Sequence, residues 1–119
     1  MTTLSDKRRR LDNVGGNNMF KLKDTVFFSY RFPTGNGEVV LSFRYSPRDK
    51  IYFMDILDGD GYLLTNLPVL PGKVYDTPFA GLIKGHNFSV MFFPLNEVEA
   101  YDTNRRLSEQ IEANFITLV

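Results

Sequence analysis

The sequence contains no cysteine and no tryptophan, and it has a single histidine among its 119 residues. The lack of cysteine excludes disulfides, thiolate catalysis and cysteine-based zinc sites. Lysine plus arginine equal aspartate plus glutamate at 14 each, so the chain has no excess positive charge. Proteins that bind nucleic acid usually carry such an excess to neutralise phosphates. We therefore expect no specific binding to nucleic acid.

Long hydrophobic runs are also missing. No stretch approaches the roughly 18 apolar residues that a membrane-spanning helix needs. The positively charged amino terminus has no apolar run behind it, so the pattern predicts no secretory signal. The sequence thus predicts a soluble protein without a membrane partner, and the absence of cysteine is compatible with a cytosolic origin.

Aromatic residues are abundant, with 11 Phe and 6 Tyr, and 43% of the residues are apolar. Aromatic and β-branched residues fit a pleated, half-buried surface, so the composition favours strands. A chain of this length forms a single domain with one modest core. So many aromatic side chains exceed what such a core needs, and we expect some of them to be buried between chains. The alternative is that all of them pack internally.

Two regions of the chain differ in pattern. Residues 1–18 are polar and basic, have no hydrophobic periodicity, and are predicted to form a flexible arm. Residues 19–119 are predicted to form a single β domain. Its clearest signal lies at 39–46, where apolar and polar residues alternate with the period of a half-buried strand. Further strands are predicted at 20–32 (one interrupted strand or two short ones), 51–57, 62–65, 88–93 and 114–119.

Turn and loop signals separate these strands. Glycine-rich turns at 33–37 and 58–61 predict hairpins, and residues 73–85 are predicted to form a loop that carries apolar side chains. Helical spacing occurs only between Asn96 and Ala113. The predicted fold is therefore mainly β: a small antiparallel β-barrel or sandwich with one short helical segment near the C-terminus.

The acidic residues Asp58 and Asp60 alternate with Gly59 and Gly61 and invite comparison with a calcium-binding loop. An EF-hand needs an oxygen ligand at every second position and a glutamate at the twelfth, but here Tyr62 follows and the glutamate is missing. We predict a metal-free hairpin turn in which both glycines adopt positive φ.

The nearby Asp55 interrupts an apolar strand. A carboxylate in such a place needs hydrogen-bond partners. We therefore expect Asp55 to be substantially buried, with its carboxylate accepting hydrogen bonds from backbone amides or from a Lys or Arg side chain.

No set of residues in the sequence indicates catalysis. His86 lies in a Gly-His-Asn segment and is expected to be a solvated loop residue, because no Ser or Cys arrangement accompanies it. Glycine-rich phosphate-binding loops are absent from the sequence. We predict that the protein is not an enzyme and that it uses no cofactor.

Several short elements follow one another in order between Val39 and Gly72. The strand Val40–Tyr45 precedes an aromatic-Phe-Met-Asp-Ile strand at Tyr52–Ile56, and the hairpin Asp58–Gly61 leads to a Leu-Pro-Gly exit at Leu70–Gly72. In this order and spacing, the segment resembles the baseplate plug-like proteins of contractile-tailed phages.

The resemblance implies a structural component of the virion, made in the host cytoplasm and assembled into the tail baseplate. There it would fill or bridge the hub at the junction of tail tube, hub and spike. Its partners would be those proteins and further copies of itself, and no cofactor is implied. The alternative is a stand-alone small β-barrel in which Phe and Tyr line a cavity for a small apolar molecule or a carbohydrate.

Candidate interface residues come from a loop, the last strand and the arm. Phe79, in the predicted loop, and Phe115, in the last predicted strand, are aromatic anchors of the kind that carry most of an interface's energy. Val119 belongs to that last strand, which is a place for pairing with a neighbour. The arm supplies three residues that can pair with acidic groups of a partner, on which we expect the arm to become ordered: Arg8, Arg9 and Arg10.

Overall fold

A computed structural model describes residues 16–35, 37–77 and 85–117. Within these ranges the chain forms eight strands and one short helix, α1 (Leu107–Gln110). The strands are β1 (Gly16–Lys21), β2 (Phe27–Thr34), β3 (Gly37–Ser46), β4 (Ile51–Asp58), β5 (Gly61–Pro68), β6 (Val74–Asp76), β7 (Phe88–Pro94) and β8 (Ile111–Thr117). They make two antiparallel sheets of four strands: the terminal sheet, ordered β1-β8-β7-β6, and the meander sheet, ordered β2-β3-β4-β5.

The meander sheet is built from hairpins, two of which begin their return strand with a glycine at positive φ. Thr34 pairs with Gly37 (φ 115°) and Asp58 pairs with Gly61 (φ 130°). Side chains rarely tolerate these angles, so both positions need glycine. The hairpin predicted at 58–61 is present, but the expectation of positive φ at Gly59 is wrong. The Asp58 carboxylate accepts a hydrogen bond from the amide N–H of Asp60 at 2.8 Å. This bond stabilises the first half of the turn without a positive φ at Gly59.

The inward faces of the two sheets form one core. Most of the alternate residues that face the other sheet are apolar, and on β3 three of them, Val39, Leu41 and Phe43, are completely buried. Phe43 stacks on Phe28 of the same sheet at 4.7 Å and meets Phe92 of the terminal sheet edge to face at 6.4 Å. Such ring pairs hold the sheets together beyond the free energy of their area burial.

Phe115 lies at the centre of this core. Its ring stacks on Phe32 of the meander sheet with centroids 4.4 Å apart and on Phe88 of the terminal sheet at 5.4 Å, and none of its surface is exposed. The prediction that Phe115 anchors an interface with another chain is therefore wrong. In β8 the residues at 111, 113, 115 and 117 face inward, so position 115 belongs to the interior of the domain itself.

Most of the described aromatic side chains pack inside the domain. The buried ones are Phe20, Phe28, Phe32, Phe43, Tyr52, Phe88, Phe92 and Phe115. Among the described aromatic residues, Phe27, Tyr62 and Phe93 are exposed, by 62%, 64% and 40%. The expected surplus of aromatic residues over core positions is thus much smaller than the composition suggested.

Three predicted elements differ from the structure in extent. β1 begins at Gly16, inside the predicted arm, because an outer strand needs only backbone pairing and tolerates Gly16 and polar residues. The helix occupies only Leu107–Gln110 of the predicted span 96–113. Strand β8 follows at Ile111, because from there every second residue faces the core, which is the period of a strand. The predicted loop at 73–85 contains β6, which pairs with β7.

The predicted fold class is confirmed. The domain is mainly β, with two antiparallel sheets and one short helix near the C-terminus. Among the described strands the sheets do not close into a barrel, and their shared core gives a sandwich. No helix of the described residues has the length and apolar character to cross a membrane.

The aromatic stack around Phe115 generates a first prediction. Phe115→Ala should lower the free energy of unfolding by about 3–5 kcal/mol, because it removes a ring from a fully packed site. Phe115→Leu, which keeps most of the apolar contact, should cost less and remain folded. Phe27→Ala, on an exposed ring, should change the free energy by less than about 0.5 kcal/mol. Urea unfolding measures all three, and equal effects of Phe115→Ala and Phe27→Ala would contradict the interior position.

Candidate functional site

A chain of polar side chains joins the two sheets at one end of the sandwich. His86, just before β7, is 3% exposed, and its Nδ1 lies 2.6 Å from the Thr34 hydroxyl at the end of β2. Its Nε2 lies 3.2 Å from Oδ2 of Asp58 at the end of β4. The expectation that His86 is a solvated loop residue is therefore wrong. Sequence spacing gave no sign of this, because the partners are 52 and 28 residues away.

The hydrogen-bond roles in this chain follow from the chemistry of its members. A carboxylate can only accept, so the Nε2–H of His86 donates to Asp58. In the neutral ring Nδ1 is then an acceptor and receives the hydroxyl proton of Thr34. One imidazole thus ties β2, β4 and the segment before β7 together. All three groups are engaged in structural bonds, and the carboxylate also holds the backbone turn at Asp60.

A cleft of about 680 Å³ opens beside this polar chain. Its lining combines charged side chains with Val40 and Leu57, and Arg31 and Glu38 form an ion pair at 2.8 Å. The lining residues are Arg31, Gly37, Glu38, Val40, Leu57, Asp58, Gly59, Asp60 and His86. Ligand pockets for small apolar molecules are lined mainly by hydrophobic and aromatic side chains, and this cleft has no aromatic residue in its lining. It does not have the character of the predicted apolar ligand cavity.

The opposite end of the sandwich carries a group of tyrosines. Tyr45, Tyr52 and Tyr101 line a cavity of about 260 Å³ together with Asp24. Burial raises the pKa of Tyr101 to about 12, and burial also raises the pKa of Tyr52. Both phenols stay protonated at neutral pH, and Tyr52 donates its hydrogen bond to the Thr25 carbonyl at 3.0 Å. These tyrosines act as packing and hydrogen-bonding groups.

The outward side of the meander sheet, here called the meander face, carries Asp55 at its centre. One carboxylate oxygen accepts the amide N–H of Asn66 at 2.8 Å, and the other accepts Nε of Arg44 at 3.3 Å. The side chain of Asp55 is only 13% exposed. The predicted burial and hydrogen bonding of Asp55 are confirmed. Asn66 adopts positive φ (59°), and the Asp55 bond holds it in that conformation.

Arg44 occupies the middle of an aromatic row on the meander face. Phe27 of β2 pairs with Arg44 of β3, which pairs with Phe53 of β4, and Pro68 of β5 completes the row. The guanidinium lies 5.5 Å from the centre of the Phe53 ring and also donates to the Asn66 side chain. Arginine held over a ring and bonded to neighbouring side chains is a preorganised contact group, because part of its side-chain entropy is already lost.

A second row on the meander face lies beyond the intervening row that contains Ser42 and Asp55. It joins Arg31, Val40, Leu57 and Tyr62, one from each strand of the sheet. Tyr62 on the outermost described strand β5 and Phe27 on the opposite outermost strand β2 are both mostly exposed. Aromatic and arginine side chains of this kind are enriched in protein interfaces. The meander face therefore has side chains of the kind found in protein interfaces.

Other predicted site residues have different outcomes. Phe79, Val119 and the arm residues at 8–10 lie outside the described residues. Among the described residues, no group of three or more His, Asp and Glu side chains is arranged to hold a metal ion. Gly59 and Asp60 form the tip of the β4–β5 hairpin.

The position of Asp55 generates a second prediction. Asp55→Ala leaves the amide of Asn66 and the Arg44 side chain without their acceptor, and should lower the free energy of unfolding by about 1–3 kcal/mol. Asp60→Ala is the matched control, because it makes the same change at an exposed turn position. Chemical unfolding of both variants measures the difference. Indistinguishable unfolding midpoints would show that the Asp55 carboxylate contributes nothing.

The polar chain around His86 generates a third prediction. His86→Ala should cost about 1–3 kcal/mol of unfolding free energy, because it removes both bonds of a buried ring. A double-mutant cycle with Thr34→Val should give a coupling energy above about 0.5 kcal/mol, since the two side chains are in direct contact. Thr103→Ala, in an exposed loop, serves as the control. If the two changes in unfolding free energy simply add in the double variant, the hydrogen bond between His86 and Thr34 is contradicted.

Comparison with protein-family models, with curated proteins and with solved structures finds no match to this chain. What the domain does therefore has to be argued from its surfaces and from the resemblance of the segment at 39–72.

Proposed function

We propose that this domain is a structural component of a phage tail baseplate. In this proposal it fills or bridges the hub at the junction of tail tube, hub and spike, and it contacts a neighbouring baseplate protein through the meander face. It acts within the virion by docking and performs no catalysis. The observation that carries the proposal is the exposure of two aromatic side chains, Phe27 and Tyr62, one in each row of the meander face.

The composition of the meander face supports docking against protein. Aromatic residues and arginine provide most of the energy at interface centres, and Arg44 lies between Phe27 and Phe53 in this way, while Tyr62 is exposed in the other row. The Arg44–Asp55 pair is already formed within the domain, so binding does not require a new ion pair to be assembled. A partner would bind side chains that are already held in place, and this lowers the entropy cost of association.

The outermost strands of the meander sheet also suit an assembly component. β2 and β5 end the sheet among the described strands and have backbone groups available for pairing. Lending such edges to neighbours is one way in which a small sandwich covers them. A ring of copies around the tail axis, joined along these edges, is the homo-oligomer that the proposal includes.

The alternative of a ligand-binding barrel finds less support. A barrel of that kind keeps a cavity between its walls, whereas here Phe43, Met54 and Phe92 fill the space between the two sheets. The cleft of about 680 Å³ lies at the end of the sandwich, and charged side chains form part of its lining.

The proposal predicts that charge on the meander face blocks assembly. Phe27→Asp combined with Tyr62→Asp should reduce incorporation into tails at least tenfold, because each carboxylate would be buried without a partner. The folded domain should persist, since both positions are exposed in the isolated protein. The measurement is the amount of the protein in purified particles after complementation, relative to the major tail protein.

Thr103→Asp is the control variant, because it adds a charge at an exposed loop position outside both rows. It should enter particles like the parent. Normal incorporation of the double variant would contradict docking through the meander face. Absence of the parent protein from purified tails would contradict the baseplate function as a whole.

A further inference from the structure

The cavity lined by Tyr45, Tyr52 and Tyr101, here called the tyrosine cavity, holds two phenol hydroxyls that the fold does not use. The hydroxyl of Tyr52 donates to the Thr25 carbonyl at 3.0 Å. Among the described residues, the hydroxyls of Tyr45 and Tyr101 have no hydrogen-bond partner, although both rings pack partly buried against the core. Both side chains line the cavity, so a bound molecule can reach them.

Strand register and a loop bring the three rings together. Tyr45 of β3 pairs with Tyr52 of β4, and their ring centroids lie 5.2 Å apart, edge to face. Both residues follow the inward alternation of their strands, and Tyr101 reaches them from the segment between β7 and α1. A tyrosine ring has an apolar body and a polar hydroxyl tip. The cavity therefore offers apolar ring surface and hydrogen-bonding groups side by side.

Hydrogen bonds hold the walls of the tyrosine cavity in place. The buried Gln110 side chain accepts the amide N–H of Asp102 at 2.7 Å and donates to the Asp102 carbonyl at 2.9 Å, which fixes the residue next to Tyr101. On another wall, the Asp24 carboxylate accepts the amide N–H and the hydroxyl of Ser108 at 3.0 and 2.7 Å. The cavity is thus formed before any ligand binds, which lowers the ordering cost of binding.

The polar groups of the lining are of several kinds. The Asp24 carboxylate only accepts hydrogen bonds, and the guanidinium groups of Arg105 and Arg106 only donate them. The phenol hydroxyls of Tyr45 and Tyr101 do both. Charges of both signs line the same space, which favours neither a cation nor an anion. A neutral sugar matches this lining, because its hydroxyls both donate and accept and the C–H face of its ring stacks on an aromatic ring.

A second cavity, of about 330 Å³, adjoins the tyrosine cavity, and Tyr101 lines both. Its lining combines apolar side chains, among them Ile51 and Leu70, with the charged Lys73 and Glu99. Together the two cavities reach the size of ligand sites, which is roughly 300–1,000 Å³. They therefore offer room for more than one sugar unit.

We propose that these two cavities bind a neutral oligosaccharide. One sugar ring lies against Tyr101 in the tyrosine cavity, and its hydroxyls bond to the phenols of Tyr45 and Tyr101 and to Asp24, whose carboxylate has acceptor sites beyond those used by Ser108. The next sugar unit occupies the adjoining cavity. None of the residues that form the two rows of the meander face lines either cavity, so the sugar site is separate from the proposed protein contact.

Binding of the full chain to a panel of trisaccharides tests the proposal. The panel contains neutral trisaccharides of glucose, galactose, mannose and N-acetylglucosamine, with sialylated and sulfated trisaccharides as charged comparators. At least one neutral trisaccharide should bind, and its monosaccharide should bind at least about tenfold more weakly, because a single unit leaves one cavity empty. No binding to any neutral member, tighter binding of a charged member, or equal affinity of trisaccharide and monosaccharide would each overturn the proposal.

Substitutions that remove single hydroxyls locate the site. Tyr45→Phe and Tyr101→Phe keep the rings, and each should raise the Kd of the bound trisaccharide at least about fivefold through the loss of one hydrogen bond. Tyr30→Phe is the matched control, since its hydroxyl bonds to the Lys21 carbonyl at 2.6 Å and it lines neither cavity. It should leave the Kd unchanged. Urea unfolding shows that all three variants are folded, and unchanged affinity in both cavity variants would overturn the assignment.

Discussion

The packing of aromatic rings between the two sheets is the interaction on which the rest of the structure depends. Phe115 stacks between Phe32 and Phe88, so one side chain joins the last strand of the terminal sheet to the first strand of the meander sheet. Because β8 is a central strand, fixing it also fixes β1 and β7 on either side. With the inward faces committed to this core, only the outward faces and the ends remain for function.

The strand pattern of the meander sheet could be predicted, because its alternation is regular and glycine marks its turns. Asp55 was also predictable, since a carboxylate inside an apolar strand needs partners, although Arg44 and Asn66 could not be named in advance. The bonds of His86 were not predictable, because they join residues distant in sequence through the sheet arrangement. The prediction that Phe115 lies in an interface was wrong for a related reason. Composition gives the number of aromatic residues but does not tell which of them pack in the core.

The two outward faces differ in what they lack. The meander face has its polar groups satisfied, with Asp55 bonded to Arg44 and Asn66, and leaves aromatic rings exposed. Its free energy of binding must come from apolar burial, as in contacts between proteins. On the outward side of the terminal sheet, Asp76, Ser89 and Asn114 each carry a buried polar atom without a hydrogen-bond partner among the described residues.

Cryo-electron microscopy of the intact particle measures the central claim most directly, since it shows which surface of the domain touches other chains. The account predicts density for this sandwich at the hub, with the rings of Phe27 and Tyr62 buried against a neighbouring baseplate protein and more than about 1,000 Å² covered in total at that contact. A map in which the meander face is open to solvent, or in which the domain is absent from the baseplate, would contradict it.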